Sequence, residues 1–236
     1  MLLSISSLNV KIGKLEIIRH VALDIEAGSI TVLVGANGAG KSTLLRTVAG
    51  LNPATHGSIQ FKGTDIAGVP AHRVAAMGIS MVPEGRQLFR EMTVTENLEM
   101  GGYLCRRSPA AMARNMERVF DLFPVLKEHR HRKVKTFSGG QQQMIAIGRG
   151  LMNEPELLIV DELSLGLAPK IIVEILDKIV MLNKQGMSVC LVEQNVKQAL
   201  KIADQGYVLD NGSITIRGSA ESLLGNPDVQ RTYLGI

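Results

Sequence analysis

Ile30-Thr-Val-Leu-Val-Gly35-Ala-Asn-Gly-Ala-Gly-Lys-Ser-Thr43 sets the terms on which the rest of the chain is read. An apolar run, a glycine-rich loop, and then Leu44, Leu45 and Val48 at helical spacing make strand, loop and helix in immediate succession. The loop fits G-x-x-x-x-G-K-[ST], a pattern whose backbone N–H groups and lysine wrap the phosphates of a nucleotide. Gly35, Gly38 and Gly40 permit close backbone approach, Ala36, Asn37 and Ala39 complete the loop, and the helix start behind it favours negative charge. In this reading Lys41 pairs with the β- and γ-phosphates, the Ser42 hydroxyl ligates Mg²⁺ and Thr43 contacts the α-phosphate. An incidental glycine turn carries very little weight, because strand and helix flank the loop on the correct sides.

The chain has 236 residues, enough for one α/β domain with an inserted subdomain. Its 45% hydrophobic content and net charge of +4 are ordinary for a globular protein. No stretch approaches the ~18 consecutive apolar residues a spanning helix needs. The N-terminus lacks a basic region and runs into a strand pattern, so a signal peptide is not expected. Cys105 and Cys190 fit no metal or redox spacing and read as reduced thiols. The densest basic patch, Lys127 to Lys135, reads as a solvated helix end or loop. A position near anionic lipid headgroups is the functional alternative. Nucleic acid is not expected, since no aromatic residues interleave with the basic ones.

No internal repeat or low-complexity linker divides the chain. Residues 4–12, 21–33 and 57–63 read as strands. Four apolar runs lack polar alternation: Ile30-Thr-Val-Leu-Val34, Ile79-Ser-Met-Val82, Leu157-Leu-Ile-Val160 and Ser188-Val-Cys-Leu-Val192. Such runs, separated by helical stretches, predict a parallel sheet buried on both faces. Residues 86–152 carry no strand signal; Thr93-Val-Thr-Glu96 fits a capping box and predicts a helix starting near Val94. Met112, Met116, Val119, Phe120 and Phe123 follow helical spacing and read as core packing. Tyr207 to Ile216 reads as a hairpin turning at Asn211-Gly212, and the short remainder leaves no expectation of a C-terminal regulatory domain.

Leu157-Leu-Ile-Val-Asp161-Glu162 is an apolar strand ending in two carboxylates. Alone, such a pair is more often a strand terminus and a helix cap. Behind a phosphate loop, Asp161 can hold Mg²⁺ through water and Glu162 can polarise an attacking water. Phe137-Ser-Gly-Gly-Gln141 would present the Ser138 hydroxyl and the amides of Gly139 and Gly140 at a helix start leading on from Gln141, a geometry suited to a γ-phosphate.

The order of phosphate loop, Val82-Pro-Glu-Gly-Arg86, Phe137 to Gln141, Asp161-Glu162 and Val192-Glu-Gln-Asn195 covers essentially the whole chain. It resembles an ATP-binding-cassette (ABC) transporter ATPase subunit. More narrowly, Val82 to Phe89 followed by Met92-Thr-Val-Thr-Glu-Asn-Leu98, with Ser164 to Pro169, is similar to the smaller ATPase of bacterial branched-chain amino-acid importers. The resemblance implies an α/β fold with a mostly parallel, RecA-like P-loop sheet, an antiparallel β subdomain and an inserted helical subdomain. It divides the single domain 1–236 into a core with its β subdomain, residues 1–85 and 153–236, and a helical signature subdomain, residues 86–152. It also implies that Ser138, Gly139, Gly140 and Gln141 close over the ATP of a partner subunit, so that hydrolysis needs a dimer.

Several positions depart from the family pattern. Glu84 stands where most members carry a glutamine that senses Mg²⁺ and water; a carboxylate can ligate Mg²⁺ but cannot donate a hydrogen bond while ionised. Gln194 replaces the usual histidine, so its amide can donate to the γ-phosphate without titrating near neutral pH. Ile12 occupies the place of an aromatic residue stacking on adenine, and no aromatic precedes Phe61. Leu163 and Leu167 replace a proline and an aspartate in the loop linking the two sites.

The expectation is therefore an ATP-hydrolysing subunit, with ATP and Mg²⁺, that powers a membrane importer of branched-chain amino acids or similar small solutes. Its expected partners are a second ATPase subunit (a distinct homologue, or a second copy), two permease chains and, indirectly, a periplasmic binding protein. Its expected place is the cytoplasmic face of a bacterial inner membrane. A soluble, non-transport ABC ATPase is the alternative, although its usual coiled-coil insertions or tandem cassettes do not fit this length. A different P-loop enzyme, such as a small kinase, leaves Phe137 to Gln141 unexplained.

Overall fold

Hydrophobic patterning sorts the strands into two sheets. The computed structural model describes residues 1–193 and 195–234. β1 (Leu3–Ile12) and β2 (Leu15–Ile25) form an antiparallel hairpin, after which β3 (Ile30–Val34) enters a different sheet and leads through the glycine loop into α1 (Lys41–Val48). β4 (His56–Phe61) pairs with β1, and the short β5 (Thr64–Asp65) pairs with β4. α2 (Ala71–Ala76) then leads to β6 (Ile79–Val82). From there to β7 (Leu157–Asp161) the named elements are helical: α3 (Val94–Gly101), α4 (Pro109–Leu122), α5 (Pro124–Glu128) and α6 (Gly139–Leu151), with two short 3₁₀ turns. α7 (Pro169–Lys184), β8 (Ser188–Val192) and α8 (Val196–Leu200) follow. The hairpin of β9 (Gln205–Asp210) and β10 (Ser213–Ser219) precedes α9 (Ala220–Leu224) and α10 (Pro227–Val229).

The smaller sheet has the order β2-β1-β4-β5 and is antiparallel throughout. The larger has the order β10-β9-β3-β8-β7-β6, parallel from β9 to β6, with β10 antiparallel at one edge. The expected α/β architecture, a mostly parallel sheet beside an antiparallel one, is what the chain adopts.

The absence of polar alternation in the parallel strands has a direct cause. On β3, Ile30, Val32 and Val34 join a core built with α3, α6 and α7, while Leu33 joins the core beneath the small sheet and α1. β7 divides in the same way, Leu158 and Val160 to one side and Leu157 and Ile159 to the other. Alternate side chains still point to opposite faces, but both faces are covered, so the alternation is between two cores.

One expected strand is two. Residues 21–33 do not run continuously: β2 ends at Ile25, and the chain turns through Glu26-Ala-Gly-Ser29 before β3. Gly28 has φ +71°, donates its N–H to the Ser188 hydroxyl at 2.8 Å, and accepts from Asn183 Nδ2 at 2.9 Å. Apolar residues on both sides of this turn hid the change of sheet.

The capping box at α3 forms: Thr93 N–H donates to Glu96 Oε2 at 2.6 Å, and Glu96 N–H donates to Thr93 Oγ1 at 3.2 Å. Val119, Phe120 and Phe123 are buried in the core shared with α6, and Met112 and Met116 pack half-buried against it. The hairpin turns at Asn211 and Gly212, with φ +45° and +82°. A Cβ at Gly212 would lie 2.1 Å from the Ile17 carbonyl oxygen, so only glycine fits where this turn meets β2. Cys105 and Cys190 are unpaired, and burial pushes the Cys190 thiol up to about 12.

Candidate nucleotide site

The glycine loop sits at the carboxyl end of β3, beside the carboxyl ends of β8 and β9. In open parallel sheets ligands bind at that edge. Gly35 approaches the neighbouring strand so closely that a Cβ would lie 2.2 Å from the Leu209 carbonyl oxygen. Gly40, at φ +106°, is the N-cap of α1 and offers no side chain to the helix's first amides. Those amides carry the positive end of the helix dipole, an arrangement suited to an anion.

Lys41 is buried, with its ammonium donating to the carbonyl oxygens of Gly35 and Ala36, each at 2.9 Å. One N–H remains for a phosphate oxygen. The Ser42 hydroxyl donates to Asp161 Oδ1 at 3.0 Å, joining the start of α1 to the end of β7. Asp161 is 1% exposed, and its Oδ2 has no hydrogen-bond partner. Burial pushes its carboxyl above the ordinary value; the Ser42 hydrogen bond opposes this, and Glu162 and Glu84 add to it. Glu162 follows with a left-handed backbone, φ +49°, its N–H donating to the Val192 carbonyl at 3.1 Å.

A cleft of about 470 Å³ is lined by Ile17, Asn37, Gly38, Gly40, Lys41, Ser42, Thr43, Glu84, Glu162 and Leu165. The sequence therefore supplied most of its wall. Gly35, Ala36 and Ala39 shape the loop instead: Ala39 is buried, and its carbonyl accepts the Gly212 N–H at 3.0 Å. Ile12 lies at the β1–β2 turn, 47% exposed and outside the cleft wall. Ile17 and Leu165 line the cleft without having been singled out, since single aliphatic residues in a strand and a loop carry no motif. Gln194 lies outside the described residues.

Among the described residues no three carboxylate, histidine or cysteine groups cluster as a metal cage. Mg²⁺ needs none, because it favours a few protein oxygens completed by waters and substrate phosphates. The unpartnered Asp161 Oδ2, beside a serine hydroxyl and near two further carboxylates, fits such an ion.

Ser138, Gly139, Gly140 and Gln141 are absent from the cleft wall. Ser138 is exposed and caps α6: its Oγ accepts the Gln141 N–H at 3.3 Å, and Gln141 Oε1 accepts the Ser138 N–H at 3.1 Å. A Cβ at Gly140 would lie 2.5 Å from Ile171 Cγ2, so the helix start packs closely on α7.

Fold and site together define an ATP-binding cassette of the P-loop class. Residues 18–164 match the family model described as ABC transporter, and the chain belongs to that family. It is 46% identical over 99% of its length to the high-affinity branched-chain amino acid transport ATP-binding protein BraG of Pseudomonas aeruginosa, all of which is covered. It is 35% identical to the probable branched-chain amino acid transport ATP-binding protein LivF of Archaeoglobus fulgidus, over 97% of each chain. Among solved structures it is similar to the ADP conformation of an ATP-binding cassette of an ABC transporter, with a TM-score of 0.89 and 27% identity over 100% of this chain and 99% of that one.

Proposed function

We propose that this chain binds and hydrolyses ATP to power a membrane importer of branched-chain amino acids or similar small solutes. The observation that carries the ATPase reading is the convergence of Lys41, Ser42, Glu84 and Glu162 on one cleft, with Asp161 bonded to Ser42 behind it. The cargo reading is supported by full-length similarity to a protein named for branched-chain amino acid transport.

In this reading Gly35 to Thr43 bind the triphosphate, and Ser42, Asp161 and Glu84 hold Mg²⁺, which would neutralise phosphate charge. Glu162 polarises the attacking water, and Glu84 and Gln194 contact the γ-phosphate surroundings. Phosphoryl transfer rests on positioning and charge stabilisation, so a site lacking one wall loses much of its rate. The exposed Ser138 loop supports that wall coming from a partner cassette. Residues 86–152 form the helical unit that relays closure to the permease, with Glu84 through Glu96 as the contact surface.

No helix among the described residues is long and apolar enough to cross a membrane. A peripheral subunit on the cytoplasmic face of a bacterial inner membrane, working with two permease chains and a second cassette, accords with that.

The test is a membrane pull-down with tagged Glu162→Gln protein, with and without Mg-ATP. ATP-dependent recovery of two permease chains and a cassette is expected. Recovery of soluble partners alone, or of none, would overturn the transport reading.

A further inference from the structure

The segment carrying Glu84 has an uncommon backbone. Gly85, Arg86 and Gln87 are all left-handed, with φ of +71°, +66° and +45°, and only the first is a glycine. Such a turn persists where its surroundings over-determine it, and here those surroundings lie on α6. Near the end of that helix, Arg149 donates from Nη1 to the Gln87 carbonyl at 2.8 Å and from Nη2 to the Arg86 carbonyl at 3.1 Å. Near its start, the buried Gln143 accepts from Arg86 Nε at 3.3 Å through Oε1.

The Arg86 guanidinium makes a third connection, donating from Nη2 to the Leu165 carbonyl at 3.1 Å. Leu165 lies in the loop after Glu162, and both residues line the cleft, as does Glu84. A planar guanidinium can serve two acceptors at a fixed angle, which a lysine ammonium on a flexible stem does not reproduce.

We propose that Arg86 is a positioning residue for ATP hydrolysis: it latches the Glu84 turn to α6, the helix capped by Ser138, and to the loop behind Glu162. The two carboxylate-bearing walls then keep their separation across the phosphates, and a shift of α6 at dimer closure reaches both together. This rests on the ATPase reading, but the latch itself can be judged without it.

Hydrogen exchange on the nucleotide-free full chain comes first. The Arg86 N–H donates to the Pro83 carbonyl at 3.2 Å and the Gln87 N–H to the Gly85 carbonyl at 2.7 Å. Both amides should exchange roughly tenfold faster in Arg86→Ala and in Gln143→Leu. Turnover is then measured in the ATP-closed dimer. Arg86→Ala should lower kcat about tenfold with KM within about twofold, as expected for lost alignment rather than lost binding. Arg86→Lys should not restore the rate. Gln143→Glu, which keeps an acceptor, should hold the rate, and the Arg86→Ala/Gln143→Leu double variant should fall no further than Arg86→Ala.

Unchanged exchange in both single variants overturns the latch whatever the activity. Faster exchange with unchanged kcat, or a raised KM at steady kcat, overturns the positioning role. Should Arg86→Ala not fold, the contrast between Gln143→Leu and Gln143→Glu decides both points. A wild-type chain that neither binds nor turns over ATP defeats the proposed function, while the exchange comparison still judges the latch.

Discussion

The Ser42 hydroxyl donates to Asp161 Oδ1 at 3.0 Å, closing the phosphate loop onto the end of a strand 119 residues further along the chain. The bond orients one carboxylate oxygen and leaves the other, Oδ2, buried without a partner. A buried carboxylate in that condition is poorly stabilised until a cation arrives.

The first prediction is a pH dependence of stability without Mg²⁺. The Asp161 carboxyl is raised from its ordinary 3.8, chiefly by burial. Below 3.8 it is neutral in both folded and unfolded chains. As pH rises through that value to the raised folded one, the unfolded chain loses its proton first, and stability falls. Above the folded value the loss is constant. The difference in melting temperature between wild type and Asp161→Asn, followed against pH, should show the variant gaining stability across that window. No pH-dependent difference would mean that the carboxyl titrates normally.

Glu162→Gln should bind Mg-ATP with affinity close to wild type and turn it over about 10²- to 10⁴-fold more slowly, the usual range for loss of a positioned base. Size-exclusion chromatography with Mg-ATP should show an accumulated closed dimer. Retained turnover would move the base role to another residue.

Base selectivity should be weak. Ile12 is half-exposed at a hairpin tip, and the cleft wall carries the aliphatic residues Ile17 and Leu165, so no aromatic ring stands at these positions. Stacking is worth about 1–3 kcal/mol in nucleic-acid binders. Competition binding should therefore find ATP and GTP within about tenfold of each other. Strict ATP preference in the wild type would contradict this.

Turnover in the ATP-closed dimer should lack the step near pH ~6–7 that a functional histidine produces. Gln194 replaces that histidine in sequence, and among the described residues no histidine lines the cleft. A clear step in the pH–rate profile that survives mutation of other titrating groups would refute the prediction.

Helix and strand positions near the loop were readable because their signals are local. The Thr93–Glu96 box needs only a four-residue spacing, and the Asn211-Gly212 turn needs two residues that tolerate positive φ. The 21–33 segment was misread because it is apolar on both sides of Gly28: Val21, Leu23, Ile25 and Leu33 serve one core and Ile30 and Val32 the other, and local hydrophobicity does not say which sheet a residue enters. Ile17, Leu165 and the Arg86 contacts were invisible for a related reason. Each is defined by what folds against it from far along the chain.

By itself, the sequence set out the candidate groups: a glycine loop with Lys41 and Ser42, two carboxylates after an apolar strand, and a serine at the start of a helix. Glycine's freedom, lysine's charge and the period of buried strands are properties of residues and their immediate neighbours. Only the tertiary structure decided which of these share a cleft. It brought Asp161 to Ser42, set Ile17 rather than Ile12 against the loop, kept Ser138 apart and exposed, and tied Arg86 to Gln143 and Leu165. Those relations depend on sheet order and helix packing, which arise from burying two cores at once and are written in no single segment.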